Sequence, residues 1–136
     1  MIGTGYVGLV SGTCFSDLGN MVYCVDTDKS KINKLILGKS PIFEPGLNEI
    51  IKKNTNAGRL IFTTNLAVAV KNSDIIFICV GTPNKKKSQA VDLSHVYKAV
   101  KDVINCAKSK KIIITKSTVP VGTGDDIENF FKRGKK

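Results

Sequence analysis

A glycine-rich segment near the start of the chain has residue types and spacing that suit phosphate binding. Gly3-Thr4-Gly5-Tyr6-Val7-Gly8 is a G-x-G-x-x-G sequence that opens a predicted helix. In such a segment Gly3 permits a tight turn, Gly5 lets the backbone approach a pyrophosphate, and Gly8 lets helix and strand pack closely. Free N–H groups and the dipole at the start of the helix favour negative charge there. The segment predicts a dinucleotide site, although such a motif is weak when it stands alone.

A carboxylate follows this segment at a distance that suits the same chemistry. Asp26 ends the next predicted strand, 18 residues beyond Gly8, close to the spacing of about 20 expected for the acid that binds adenosine ribose hydroxyls. A carboxylate there accepts hydrogen bonds from the 2′-hydroxyl and repels a 2′-phosphate, which favours NAD over NADP. Lys29 and Lys31 weaken this exclusion somewhat, and Lys31 could itself neutralise a cofactor phosphate. The alternative for Asp26 is an acid on a surface loop.

Two more polar segments follow predicted strands. Val80-Gly81-Thr82-Pro83-Asn84 comes after one strand and Lys116-Ser117-Thr118-Val119-Pro120-Val121-Gly122 after another. Open α/β folds place their ligands at these strand ends. A turn that needs only glycine and proline would not require the hydroxyls of Thr82, Ser117 and Thr118, so we expect a ligand there. Side-chain caps on turns are the alternative.

These segments must be positioned by a sheet of parallel strands, because apolar runs alternate with helical periodicity along the chain. The runs lack polar alternation, which predicts strands covered on both faces; they lie at 21–25, 60–62, 75–80 and 112–114. Helices are predicted at about 7–18, 47–54 and 96–107, with Gly19 closing the first and Asp92 capping the last. The predicted fold is α/β, a Rossmann-like doubly wound parallel sheet with strand order 3-2-1-4-5.

Composition limits the remaining classes of protein. A chain of 136 residues with 42% hydrophobic residues is expected to form one domain over 1–136. Without a signal peptide or a membrane-spanning apolar run, a cytoplasmic protein is expected, with no membrane partner. The formal net charge of +10 comes mainly from scattered lysines, and no nucleic-acid-binding pattern occurs, so no nucleic-acid partner is expected. The four cysteines are expected to be reduced core thiols rather than a disulfide framework or a metal site: Cys14, Cys24, Cys79 and Cys106.

Four motifs in order resemble the UDP-glucose/GDP-mannose dehydrogenase family, over nearly all of the chain. They are the glycine-rich segment extended by Leu9, then Pro41-Ile42-Phe43-Glu44-Pro45-Gly46-Leu47, then Val80-Gly81-Thr82-Pro83, then the segment 116–122. The resemblance covers the family's N-terminal NAD-binding domain. It implies an oxidoreductase that oxidises the C6 hydroxyl of UDP-glucose twice, to UDP-glucuronate, with two NAD⁺ consumed. Full-length members are homo-oligomers.

The resemblance also implies roles for individual residues. Gly3, Gly5, Tyr6, Val7 and Gly8 would line the dinucleotide, with Asp26 and Lys31 at its adenosine end. The nicotinamide side would be lined by Val80, Gly81, Thr82, Pro83, Ser117 and Thr118, and Thr118 is the one residue placed beside the chemistry.

Two departures from the family pattern accompany the resemblance. Only Met1 and Ile2 precede Gly3, so the first, central strand is expected to be truncated, with ladder groups of its neighbours left unpaired. The family's dimerisation helix and C-terminal UDP-sugar domain, with its cysteine nucleophile, have no counterpart in residues 1–136. We therefore expect the isolated chain to be catalytically incomplete, with UDP-glucose bound through the missing half. The alternative is a non-catalytic nucleotide-binding remnant of a truncated or split gene.

Overall fold

A computed structural model describes residues 1–85 and 90–133 of the chain, except the side chains at positions 131 and 133. Over these residues, helices and short strands alternate. The helices are α1 (Tyr6–Asp17), α2 (Lys29–Ile36), α3 (Leu47–Asn56), α4 (Leu66–Lys71), α5 (Ser94–Cys106) and α6 (Thr123–Arg133). The strands are β1 (Val22–Val25), β2 (Leu60–Thr63), β3 (Ile75–Ile78) and β4 (Ile112–Thr115).

The strands run parallel and are joined through residues 1–3. β1 pairs with β2, β3 pairs with β4, and Ile2 bridges Val25 on one side and Ile78 on the other. Counting residues 1–3 as the first strand, the order across the sheet is 3-2-1-4-5. The predicted fold class, strand order and short first strand are therefore confirmed.

Residues 1–3 form backbone hydrogen bonds with both neighbouring strands, β1 and β3, despite being so few. On the β1 side, the Met1 amino group donates to Tyr23 O at 2.7 Å, Val25 N–H donates to Met1 O, and Gly3 N–H donates to Val25 O. On the β3 side, Ile2 N–H donates to Phe77 O and Cys79 N–H donates to Ile2 O, both at 2.8 Å. The backbone groups of β1 and β3 that lie opposite residues 1–3 are therefore hydrogen-bonded, although the sequence predicted that they would be unpaired. Three residues suffice because a parallel segment can bond to the strand on each side.

Alternating strand side chains divide the apolar core between the two faces of the sheet. Val22 and Cys24 of β1 pack with buried residues of α1, α2 and α3, whereas Val25 packs with α4, α5 and α6. Successive strand residues point to opposite faces, so the two clusters lie on opposite sides, as in a doubly wound sheet. The fully buried anchors of the two clusters include Leu9, Leu35, Ile51 and Leu60 on one side and Val70, Ile78, Val96, Val100 and Val103 on the other.

Several local predictions need correction. Ile75, Ile112 and Ile114 are exposed, so β3 and β4 are not covered on both faces as their unbroken apolar runs suggested. Cys14 is exposed and Cys106 only partly buried, so only Cys24 and Cys79 are core thiols. Apolar sequence indicates that a residue can be buried, and neighbouring elements decide whether it is.

The ends of α1 and α5 lie close to where the sequence predicted them. Gly19 follows α1 with a φ of +97° and donates to Ser16 O, as a residue closing a helix does. The Asp92 carboxylate accepts the Ser94 N–H at 2.9 Å, although Leu93 is the N-cap of α5, so the capping prediction is offset by one position. The sequence did not indicate α2, α4 and α6, which are short or largely polar.

Glycines let α1 cross the central segment at very short range. A Cβ on Gly8 would lie 2.0 Å from Gly3 O, and one on Gly12 would lie 2.6 Å from Cys24 Sγ. Gly3 itself has a φ of +99°, and a Cβ there would lie 2.7 Å from Cys79 O. The contact at Gly8 is with backbone, which cannot rotate away, so the first turn of α1 can lie against residues 1–3 only because no side chain intervenes.

We expect Gly8→Ala to destabilise the fold by at least about 3 kcal/mol, because the added methyl group must displace backbone. Gly124→Ala is the matched control, since Gly124 lies in the first turn of α6 with no atom within 4 Å of its Cβ position. That control should be neutral or stabilising by up to about 1 kcal/mol. Urea unfolding followed by circular dichroism measures both, and a Gly8→Ala midpoint equal to wild type would contradict the packing argument.

Candidate functional site

A cleft of about 490 Å³ lies at the carboxyl ends of the central strands. Gly3 and Gly5 of the glycine-rich segment line this cleft. Asp26 and Lys31, which follow β1, also line it, as do residues that follow β3. The complete lining is Ile2, Gly3, Gly5, Val25, Asp26, Thr27, Lys31, Thr64, Leu66, Cys79, Val80, Gly81, His95, Lys98, Ala99 and Asp102. Parallel strands bring their carboxyl ends to one edge, which is why segments distant in sequence meet here.

The N-terminus of α1 opens toward this cleft without a side-chain cap. Gly5 is the N-cap, no side chain accepts a hydrogen bond there, and the first turn contains no acidic residue. Gly5 has a φ of −68° and no atom lies within 4 Å of its Cβ position. Neither backbone conformation nor packing therefore requires glycine at this position. A group outside the chain that approaches the backbone would require it, and the uncapped N–H groups suit an anion.

Asp26 lines the same cleft and is held there by four donors. Its Oδ2 accepts the Thr4 N–H at 2.9 Å, the Thr4 hydroxyl at 2.7 Å and Lys31 Nζ at 3.0 Å. Its Oδ1 accepts the Asp28 N–H at 3.0 Å. Only 13% of the side chain is exposed, so this carboxylate is part of the structure rather than a loose surface group.

These donors keep the carboxylate ionised. Burial alone would raise the pKa of Asp26, but the hydrogen bonds from Asp28, Thr4 and Lys31 outweigh it and lower this pKa to about 2. The group therefore carries a full negative charge across the physiological range and can only accept hydrogen bonds. A negatively charged acceptor suits a ribose hydroxyl and opposes a second negative group at the same position.

The second motif meets the first across the surface. The Tyr6 hydroxyl, in the first turn of α1, donates to a carboxylate oxygen of Glu44. This hydrogen bond raises the pKa of the Tyr6 hydroxyl. Gly46, with a φ of +79°, is the N-cap of α3. The segment 41–47 is thereby attached to the start of α1, beside Gly5.

The third and fourth motifs also meet. The Ser117 hydroxyl donates to Val80 O at 2.7 Å, and the Ser117 N–H donates to Ile78 O at 3.0 Å. Pro83 O accepts the Asp92 N–H. Ser117 thus fastens the segment after β4 to the end of β3, whereas Thr118 beside it is exposed.

The structure gathers some of the predicted site residues and separates others. Those lining the cleft are Gly3, Gly5, Asp26, Lys31, Val80 and Gly81. Tyr6 and Val7 are exposed on the first turn of α1 next to it, while Gly8 is buried in helix packing. Thr82, Pro83, Ser117 and Thr118 lie outside this cleft, on the neighbouring segments after β3 and β4.

One side of the cleft is formed by residues of α5 that the sequence did not indicate. His95, Lys98 and Asp102 of α5 line it, and Lys98 Nζ lies 2.6 Å from Asp102 Oδ2. Their spacing of three and four residues, on one helix face, was the available signal. Thr4 was also missed, because nothing in a G-x-G-x-x-G pattern distinguishes its second position.

Other kinds of site find no support among residues 1–85 and 90–133. No group of three or more His, Cys, Asp or Glu side chains there is arranged to hold a metal ion. Within the same residues, every helix is too short or too polar to cross a lipid bilayer. Burial raises the pKa of the Cys24 thiol to about 11 and also raises that of Cys79, so neither is an activated nucleophile.

Comparison with known proteins gives consistent matches over almost the whole chain. The chain is 50% identical over 132 residues to the UDP-glucose 6-dehydrogenase of Rhizobium meliloti, covering 97% of this chain and 30% of that protein. It is 48% identical to the UDP-glucose 6-dehydrogenase TuaD of Bacillus subtilis, covering 100% of this chain and 29% of the relative. The chain therefore spans about 30% of the length of these curated relatives.

Solved structures agree with the sequence matches. The fold is similar to that of GDP-mannose dehydrogenase from Pseudomonas aeruginosa, with a TM-score of 0.88 and 39% identity over 93% of this chain and 29% of that one. It is also similar to a UDP-D-ManNAc dehydrogenase from Pyrococcus horikoshii, with a TM-score of 0.90 and 28% identity over 97% and 31% of the two chains.

The family model that matches covers residues 1–136 and describes the NAD-binding domain of these dehydrogenases. Its span includes all four motifs, and the geometry above shows two of them meeting at the start of α1 and the other two at the end of β3. The chain belongs to the UDP-glucose/GDP-mannose dehydrogenase family, and it is that family's NAD binding domain.

Proposed function

We propose that the cleft holds NAD⁺ with its pyrophosphate at the N-terminus of α1 and its adenosine ribose against Asp26. The observation that carries this proposal is the pairing of an uncapped helix N-terminus at Gly5 with a fixed, ionised carboxylate lining the same cleft. The first favours the negative pyrophosphate, and the second accepts hydrogen bonds from ribose hydroxyls. The open space at the Cβ position of Gly5 fits a group that must approach the backbone closely.

The other site residues predicted from the sequence are proposed to contact or position successive parts of the bound NAD⁺. Gly3 and Gly8 shape the turn, while Tyr6 and Val7 flank the dinucleotide and Lys31 lies at its adenosine end. We place Val80, Gly81, Thr82 and Pro83 on the nicotinamide side, where Ser117 holds the two loops together. Bound NAD⁺ supplies the nicotinamide ring that accepts a hydride. Exposed Thr118 is proposed to face the reacting substrate carbon.

For the whole protein we propose oxidation of UDP-glucose to UDP-glucuronate with NAD⁺ as oxidant. Support comes from the UDP-glucose 6-dehydrogenases that match at 48% and 50% identity. Structurally similar proteins named for other nucleotide sugars share this domain as well, so the support for the sugar rests on sequence identity. We further propose that most sugar contacts and the cysteine nucleophile belong to a C-terminal domain, and that the full-length protein is a homo-oligomer.

Replacing the cleft carboxylate tests the proposed cofactor directly. Asp26→Asn should weaken NAD⁺ binding about tenfold or more, because a hydrogen bond to a charged acceptor is lost. NADP⁺ binding should weaken less or improve, so the preference for NAD⁺ falls. Asp28→Asn is the control, since it removes the same charge two residues away and asparagine can still cap α2. Isothermal titration of wild type and both variants with each cofactor gives six dissociation constants, and equal effects of the two substitutions would sink the assignment.

Adding a methyl group at Gly5 tests the placement of the pyrophosphate. Gly5→Ala should reduce NAD⁺ affinity by at least about tenfold, because the methyl group occupies the space in which the phosphates approach the backbone. Stability should fall by about 1 kcal/mol, since alanine is a poorer N-cap residue than glycine, which is small enough for the variant to stay folded. Gly124→Ala, outside the cleft, should leave affinity unchanged. Unaltered NAD⁺ affinity in a folded Gly5→Ala variant would contradict this placement.

Asp26 should also make stability depend on pH in the acid range. Its folded pKa of about 2 lies below the ordinary value of 3.8, so the folded state holds the proton less tightly than the unfolded state. The resulting stabilisation of about 2 kcal/mol is fully present above pH about 5 and is lost as pH falls toward 2. The difference in unfolding free energy between wild type and Asp26→Asn should therefore shrink between pH 5 and pH 2.5. Urea unfolding at both pH values measures it, and a constant difference would disagree with the lowered pKa.

A further inference from the structure

Thr4 occupies the second position of the glycine-rich segment, and its side chain is bonded within the protein. The residue is fully buried, yet both its N–H and its hydroxyl donate to one oxygen of Asp26, 22 positions further along the chain. A buried hydroxyl cannot contact a cofactor in the cleft. Whatever Thr4 contributes to binding must therefore pass through Asp26.

The two oxygens of Asp26 differ in how many donors they already have. Oδ2 accepts three hydrogen bonds, from the Thr4 N–H, the Thr4 hydroxyl and Lys31 Nζ, at 2.7 to 3.0 Å. Oδ1 accepts one, from the Asp28 N–H. An ionised carboxylate has about four lone-pair sites, two on each oxygen. Oδ2 is thus saturated, whereas Oδ1 keeps capacity for another donor.

Two donors from one buried residue also fix how the carboxylate is rotated. Lys31 has a flexible side chain and is 29% exposed, so it constrains Asp26 less than the rigid start of α1 does. The Thr4 backbone N–H is set by the turn at Gly3, and its hydroxyl adds a second point of attachment to the same oxygen. A carboxylate held in this way does not have to be ordered when a ligand arrives.

We propose that Thr4 is a positioning residue which holds Oδ2 of Asp26 in the protein and leaves Oδ1 as the acceptor for the 2′-hydroxyl of the adenosine ribose. The proposal rests on the proposed function, because it assumes that Asp26 meets the ribose. It adds a specificity determinant that touches no part of the cofactor. The pair Thr4 and Asp26 then distinguishes a ribose hydroxyl from a 2′-deoxy position.

The test uses ligands that contain only the adenosine end, ADP and 2′-deoxy-ADP, titrated into the 136-residue chain by calorimetry. Wild type should bind ADP about tenfold or more tightly than 2′-deoxy-ADP, the effect of one charge-assisted hydrogen bond. Thr4→Val removes the hydroxyl with little change in shape and should reduce this ratio several-fold, to about 3. Thr4→Ser, which keeps the hydroxyl, should restore it.

Thr13→Val is the matched control. Thr13 is also fully buried, in α1, and its hydroxyl has no hydrogen-bond partner. It should leave the ratio at the wild-type value, and thermal unfolding of each variant separates lost stability from lost discrimination. If Thr4→Val does not fold, Thr4→Ser and Thr4→Ala both lack the methyl group and differ only in the hydroxyl. The ratio should then fall for Thr4→Ala and not for Thr4→Ser.

The outcomes separate this inference from the function on which it rests. Absence of ADP binding by wild type, or an unchanged ratio in Asp26→Asn, overturns the proposed function and this inference with it. A ratio near 1 in Asp26→Asn, together with a wild-type ratio in Thr4→Val or Thr4→Ala, overturns only the role of Thr4. Loss of the ratio in Thr4→Val and its recovery in Thr4→Ser support both.

Discussion

Residues 1–3 lie between β1 and β3 and hydrogen-bond to both, and the rest of the structure is arranged around this contact. Without it, the two pairs of strands would have no common ladder among the described residues. The same three residues lead straight into the turn that starts α1. Because Gly8 packs on Gly3 O without an intervening side chain, the helix N-terminus is fixed relative to the sheet. The position of the proposed pyrophosphate site is therefore a consequence of backbone packing.

The electrostatic character of the cleft follows from the same arrangement. At one side, α1 begins without a cap and without an acidic residue, so its N–H groups favour an anion. At another, Asp26 is negative and stays so because its donors outweigh the cost of burial. Thr4 connects the two, since it belongs to the glycine-rich turn and bonds to Asp26. The cleft thus combines uncapped N–H groups that favour an anion with a negative acceptor held beside them by Thr4, which suits a ligand that carries phosphates and a ribose.

The four sequence motifs have different physical tasks. The segment 41–47 is joined to α1 through Glu44 and Tyr6, and the segment 116–122 is joined to β3 through Ser117. The loops joined by these contacts carry exposed groups, such as Phe43 and Thr118. Relatives that match the chain share this domain as about 30% of their length.

The sequence by itself determined the class of fold, the strand order, the glycine-rich turn and the acid after β1. It could do so because these features depend on local spacing and on the alternation of apolar runs with helical periodicity. The family also followed from four motifs in order. Short or polar helices such as α2, α4 and α6 carried too weak a periodicity to be recognised. Cys14 and the exposed faces of β3 and β4 were wrongly predicted to be buried. Their sequences are apolar, but no described helix or strand packs over these side chains.

Only the tertiary structure decided which groups meet. Thr4 and Asp26 are separated by 22 positions, and no pattern in the sequence shows that the hydroxyl of one holds the carboxylate of the other. The spacing of His95 and Lys98 puts them on one face of α5, but they reach the cleft only because α5 packs against α4 and β3. The periodicity of apolar residues predicts which residues of a helix or strand share one face. The contacts between elements depend on how close their backbones approach, and glycines at 3, 8 and 12 set that distance between α1, residues 1–3 and the adjoining strands.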